Sequence, residues 1–153
     1  NVAIPVGDYD YRRYTVSANS DRGRKISGNM NASWGDFWNG RQTSFGTGLS
    51  LKPNYHLNVD LTYSGNRVTL PAGSFTTNLI ATRWLYAFGP KMMLNAFLQY
   101  NTDTHQFISN IRYNIIHRPL SDLFIVYNER YDTVTGKLID RAFLVKVTNL
   151  FNF

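Results

Sequence analysis

With 153 residues, a net charge of +6 and no cysteine, the chain has room for one domain and excludes disulfides, a thiol nucleophile and a Cys-ligated metal. Aromatics reach 15% against a single glutamate, Glu129, a balance poor in helix formers and rich in strand formers that predicts an all-β protein. No apolar run approaches the roughly 18–20 residues of a membrane helix, which excludes a helical membrane protein but not a barrel. The opening "NVAIPVGDYDYRR" has no basic start followed by an apolar core, so the expectation is a removed signal peptide or a piece of a longer chain.

Nine candidate strands then follow at the spacing of a meander. "YTVSAN" sets Tyr14, Val16 and Ala18 against Thr15, Ser17 and Asn19, and "ISGNMNASW" sets Ile26, Met30, Ala32 and Trp34 against Ser27, Asn29, Asn31 and Ser33. "TSFGTGLSL" alternates Phe45, Thr47, Leu49 and Leu51 with Ser44, Gly46, Gly48 and Ser50. "YHLNVDLTY" is the clearest: Tyr55, Leu57, Val59, Leu61 and Tyr63 oppose His56, Asn58, Asp60 and Thr62, with an aromatic at each end of the apolar side. In "NLIATRWLYAF", Ile80, Trp84, Tyr86 and Phe88 are placed outward, because the other choice puts Arg83 into lipid at about 2–4 kcal/mol. "KMMLNAFLQY" and "QFISNIRYNI" repeat the pattern, whereas "DLFIVYNER" is apolar on both sides at first and its faces stay open. The last candidate, "FLVKVTNLFNF", alternates Phe143, Val145 and Val147 with Lys146 and Thr148.

A soluble sandwich also alternates, but its wet face carries Lys and Glu, whereas here that face is mostly Asn, Ser, Thr, Gln and Gly. Aromatics at both ends of an apolar band are the mark of a membrane barrel. The expected fold is therefore all-β, an antiparallel up-and-down transmembrane β-barrel. Its lumen-lining candidates are His56, Asn58, Asp60, Asn95, Gln99, Asn110, Arg112 and Asn114. The segments "GDFWNGRQ", "SGNRVTLPAGS" and "RYDTVTGKLID" read as long loops at one end, and "KPN", "FGPK" and "HRPLSD" as short turns at the other. Nine strands put the termini on opposite sides, whereas single-chain bacterial barrels have even strand numbers. Residues 1–153 are thus expected to be one outer-membrane barrel domain, the C-terminal portion of a longer chain that completes a larger even-stranded barrel.

The final Phe153, with Phe151 two before it and Lys146 at the polar position, resembles the C-terminal β-signal read by the barrel-assembly machinery, with Thr148 where that pattern has a small residue. Strand addition gives such a signal its physical basis. "SDLFIVYNERYD" followed by "RAFLVKVTNLFNF", together with the stretch from "GDFWNGRQ" to "RWLYAF", is similar to the C-terminal barrel of a Bacteroidota-type outer-membrane family. In that family an N-terminal family 9 carbohydrate-binding-like domain precedes a barrel domain of unknown function. The resemblance implies a glycan-related setting, and it carries over no catalytic residue.

Little chemistry is signalled. His56, His105 and His117 lack ligand spacing, so no metal or cofactor is expected. Ser44 or Ser50 on one strand with His56 and Asp60 on the next, or Asp36 with Glu129, are the combinations a hydrolase would need. Trp34, Phe37, Trp38 and Arg41 could stack on sugar rings or anchor the chain at an interface. The scattered basic residues form no helix face and predict no nucleic-acid partner. The expected function is an anchor or passive pore of the bacterial outer membrane in glycan uptake or processing. Its expected partners are outer-membrane lipid and lipopolysaccharide, the assembly machinery, and glycans or other outer-membrane proteins. The alternatives are an outer-membrane hydrolase and a soluble lipocalin-like ligand-binding barrel.

Overall fold

The computed structural model describes residues 11–149. They form one nine-stranded antiparallel sheet in sequence order, with no helix among the described residues. The strands are β1 (Arg13–Asn19), β2 (Ile26–Phe37), β3 (Gly40–Leu51), β4 (Leu57–Leu70), β5 (Gly73–Gly89), β6 (Met92–Asn101), β7 (Gln106–Arg118), β8 (Ser121–Asp132) and β9 (Lys137–Val147). Strands β1 and β9 do not pair with each other, so the sheet is open.

Two-residue alternation sets the register. Ile26, Leu51, Val59, Trp84, Ala96, Ile111, Tyr127 and Phe143 are successive cross-strand partners from β2 to β9. One residue along, the row is Ser27, Ser50, Asp60, Arg83, Phe97, Asn110, Asn128 and Ala142. A slip of one residue would exchange these rows between faces, so every strand of the meander votes for the same pairing.

Among the described residues no second layer covers the apolar face. Among the described residues the buried apolar side chains are only Val59, Val68, Leu70 and Ala81. Met30, Trp84, Phe143 and Val147 are 50%, 44%, 65% and 68% exposed.

The connections correct the expected loop pattern. Strands β2 and β3 are joined by residues 38–39 and β4 and β5 by 71–72, so the anticipated long loops are mostly strand. Gly65 and Asn66 read as turn formers but lie inside β4. The Tyr63 hydroxyl passes over Gly65, 2.7 Å from where a Cβ would stand, and donates to Asn78 Oδ1 at 2.8 Å. The bare α-carbon lets the ladder continue where composition suggested a break. What survives of the asymmetry is length, since β5 runs for 17 residues. At the opposite end residues 90–91 and 119–120 make tight turns, but the expected short turn at "KPN" is a five-residue connection over residues 52–56.

Leu120 occupies the second position of one of these turns with φ at 58° and is 72% exposed. A left-handed leucine costs about 1–2 kcal/mol and this one packs little in return. Leu120→Gly is therefore expected to raise stability by about 1 kcal/mol, read as a higher midpoint in denaturant unfolding.

Candidate functional site

The functional features are the two faces of the sheet. On the apolar face, aromatic pairs mark both ends of a band. Toward the turns at 38–39 and 71–72, Tyr14 stacks on Trp34 with centroids 6.1 Å apart and Phe45 meets Tyr63 at 6.2 Å. Toward the tight turns, Tyr86 lies edge-on to Phe88 at 4.7 Å and Phe88 to Tyr113 at 6.1 Å. The register resolves the two strands that alternation left uncertain. Arg83 falls opposite Asp60, on the other face, as expected. In β8, Leu123, Ile125, Tyr127 and Glu129 share the apolar face.

The band slides along the register across the sheet. On β2 it runs from Ile26 to Trp34, and Ile26 shares the row of Trp84 and Phe143. On β9 the band starts at that row and continues through Val145 to Val147. Tilted strands demand such a drift if the band is to stay level. It accounts for the ion pair between Glu129 and Arg141, whose nitrogen lies 2.6 Å from the carboxylate. These residues stand at the upper margin of the band on β8 and β9, with the Tyr127 hydroxyl donating to the same carboxylate.

The opposite face carries Asn58, Asp60, Asn95, Gln99, Asn110, Arg112 and Asn114, the strand residues expected to line a lumen. Asn58 Nδ2 donates to Asp60 Oδ2 at 3.2 Å, and Asn110 donates to Asn128. Gly46 and Gly48 make room for the Asn31 and Asn29 side chains across the ladder, whose oxygens lie 2.4 and 2.5 Å from where a Cβ would stand. A hollow of about 320 Å³ opens here, lined by Arg22, Lys52, Asn29, Ser50, Asn58 and Asp60 among others.

The face is less uniformly polar than the sequence suggested. From β1 to β4 it follows the expected Asn, Ser, Thr and Gly for most of its length, but from β5 to β9 it also bears Leu85, Phe97, Ile108, Phe124, Val126 and Leu144. Arg83 lies over the Phe97 ring at 5.6 Å.

His56 departs from its expected place. It precedes β4, its Nδ1 lies 2.5 Å from the Ala87 carbonyl oxygen, and its ring stacks against Tyr86 of the apolar face at 6.2 Å. The hydrolase combination is not assembled. Ser44 pairs with Asn66, whereas Asp60 pairs with Ser50, six residues away along β3, and the His56 ring is taken up by the Ala87 carbonyl. Glu129 is committed to Arg141 and Tyr127, and Asp36 Oδ2 accepts the Arg12 backbone N–H at 3.1 Å.

The aromatic candidates do not share one surface. Trp34 and Arg41 lie on the apolar-face side, Phe37 falls on the opposite face, and Trp38 occupies the turn with φ at 51° and its ring edge-on to Tyr11. Lys146 pairs with Phe124 on the polar side, while Phe151 and Phe153 lie outside the described residues. Among the described residues no cluster of His, Asp or Glu has the makings of a metal site. At the end of β8 the Thr135 and Val134 N–H groups donate to Asp132 and hold its carboxyl below the usual range. Sequence reasoning missed two features, the Glu129–Arg141 pair and a grouping of Arg41, Thr43, Arg67 and Thr69 above the aromatic margin. The open face assignment of β8 hid the first, and reading 64–74 as a loop hid the second.

No protein-family model matches the chain, and no curated protein or solved structure is found to be similar to it.

Proposed function

We propose that this sheet is wall of a bacterial outer-membrane β-barrel, its apolar face toward lipid and its other face toward the interior, acting as an anchor or passive pore. The observation that carries the reading is the unbroken apolar row through β2 to β9 with aromatic pairs at both margins and no other described residue packed over it. Water is a poor neighbour for such a face, since soluble monomers rarely expose a contiguous apolar patch beyond about 600 Å². Bilayer dimensions agree: a tilted strand crosses with about 9–11 residues, and β2 to β9 have 10 to 17. The surplus of β4 and β5 projects beyond the band. The resemblance of "LFIVYNERYD" and its surroundings to a glycan-associated barrel family points the same way.

Strand direction extends the proposal. In a meander of nine, β1 and β9 run the same way, so closing them on each other would need a parallel seam. Left open in lipid, each unpaired N–H or C=O on those edges would cost several kcal/mol. The barrel is completed by an odd number of further strands, which gives an even total and keeps every pairing antiparallel.

Trp84 tests the membrane assignment. With Trp34 and Trp38 replaced by Phe, the remaining Trp84 in bilayers of brominated phosphatidylcholine is expected to be strongly quenched. A tryptophan placed instead at Gln99, in a chain also lacking Trp84, is expected to be quenched much less. Equal quenching at both positions, or an unquenched Trp84 in a chain that stays dispersed without detergent, would overturn the membrane assignment in favour of the soluble ligand-binding barrel.

A further inference from the structure

Resting on the membrane reading, we infer that Arg41 and Arg67, with Thr43 and Thr69, form a clasp for the phosphate groups of a membrane glycolipid headgroup. Arg41 pairs with Thr69 and Thr43 with Arg67 across β3 and β4, so two guanidiniums and two hydroxyls alternate in a compact square on the lipid-side face. The square lies just past the aromatic margin. Arg41 is four residues beyond Phe45 and Arg67 four beyond Tyr63, which is about 13 Å along a strand and about 10 Å along the normal of a tilted one. That is headgroup depth for the leaflet at this end.

The cations are unclaimed. Neither guanidinium makes an ion pair or hydrogen bond within the described residues. The nearest carboxylate by register is Asp36, opposite Arg41, and its Oδ2 accepts the Arg12 backbone N–H instead. Two shallow hollows share Arg41: one is lined by Arg12, Trp34 and Asp36, the other by Arg67, Thr69 and Leu70. Guanidinium groups pair with phosphate through parallel charge-assisted bonds, and threonine hydroxyls add neutral donors beside them. The apolar band directly below selects a lipid-borne phosphate over a free one, because the acyl chains of such a lipid would lie along Phe45 and Tyr63.

The test uses the full chain with Trp84→Phe in detergent micelles, which leaves Trp34 and Trp38 beside the square as reporters. Bisphosphorylated lipid A is expected to change their emission saturably, at a concentration about tenfold lower than its dephosphorylated counterpart requires. Arg41→Gln with Arg67→Gln is expected to abolish that preference. Equal response to both lipids, or an undiminished preference in the double variant, would overturn the clasp. A response reproduced by inorganic phosphate alone would overturn the lipid source. Quenching of Trp84 by brominated lipid in the Arg41→Gln, Arg67→Gln chain that retains it separates the two failures. Quenched Trp84 without phosphate preference removes only the clasp, and unquenched Trp84 removes the membrane reading and the clasp with it.

Discussion

Leu61→Arg is expected to destabilise the bilayer-embedded protein by about 2–4 kcal/mol, the cost of a cation near the middle of a barrel's lipid face. Leu61 sits within the apolar band between its partners Leu49 and Thr82. Its neighbour Thr62 turns to the opposite face, where it pairs with Gly48 and Ala81. Thr62→Arg adds a charge one residue away in sequence but on the face turned away from the apolar band, and its expected cost is below about 1 kcal/mol. Urea unfolding of both variants in liposomes, followed by tryptophan emission, measures the difference. In water both substitutions would fall on exposed positions and cost within about 0.5 kcal/mol of each other. A difference that small would count against the lipid-facing assignment.

The second large effect comes from packing. Gly40 begins β3, and a Cβ there would stand 2.1 Å from the Thr69 carbonyl oxygen and 3.0 Å from the Leu70 Cα. Those atoms are backbone, so relief requires β3 and β4 to separate at that end. Val68 and Leu70, 3% and 8% exposed, would lose their cover. They are half of the four buried apolar side chains among the described residues. Gly40→Val is expected to cost about 2–3 kcal/mol, on the scale of unburying one or two aliphatic side chains. Faster amide exchange at Val68 and Leu70, with β6 to β8 unchanged, would locate the damage. By contrast Gly46→Ala meets only the tip of the Asn31 side chain, which can rotate away, and its expected cost is smaller.

Much of this architecture was legible in the residues. Alternation in β2 to β4, β6 and β7 identified both faces before any pairing was known, because a period of two has only two phases and one of them was apolar. Arg83 could be assigned by the penalty for burying it the other way. Even the odd strand number could be read by locating the turns. Legibility failed where one local signal served two ends. Glycine, asparagine and proline in residues 64–74 and 35–42 suggested loops, yet Gly65 lies within a strand under the Tyr63 phenol. His56 had the right parity for the interior, but it precedes β4 and is held by the Ala87 carbonyl at the sheet's end.

The sequence by itself determined the β class, the strand count and the face on which most side chains stand, since these follow from composition and from a periodicity each strand carries alone. The tertiary structure decided what depends on register between strands. It brought Arg41 beside Thr69 and Arg67 beside Thr43, set Glu129 against Arg141, and interleaved Phe97 and Val126 with the polar residues of the face opposite the apolar band. Register is a property of pairs of strands, fixed by turn length and by bulges such as those at Ala87/Gly89 and Arg130/Tyr131, and no single segment contains it.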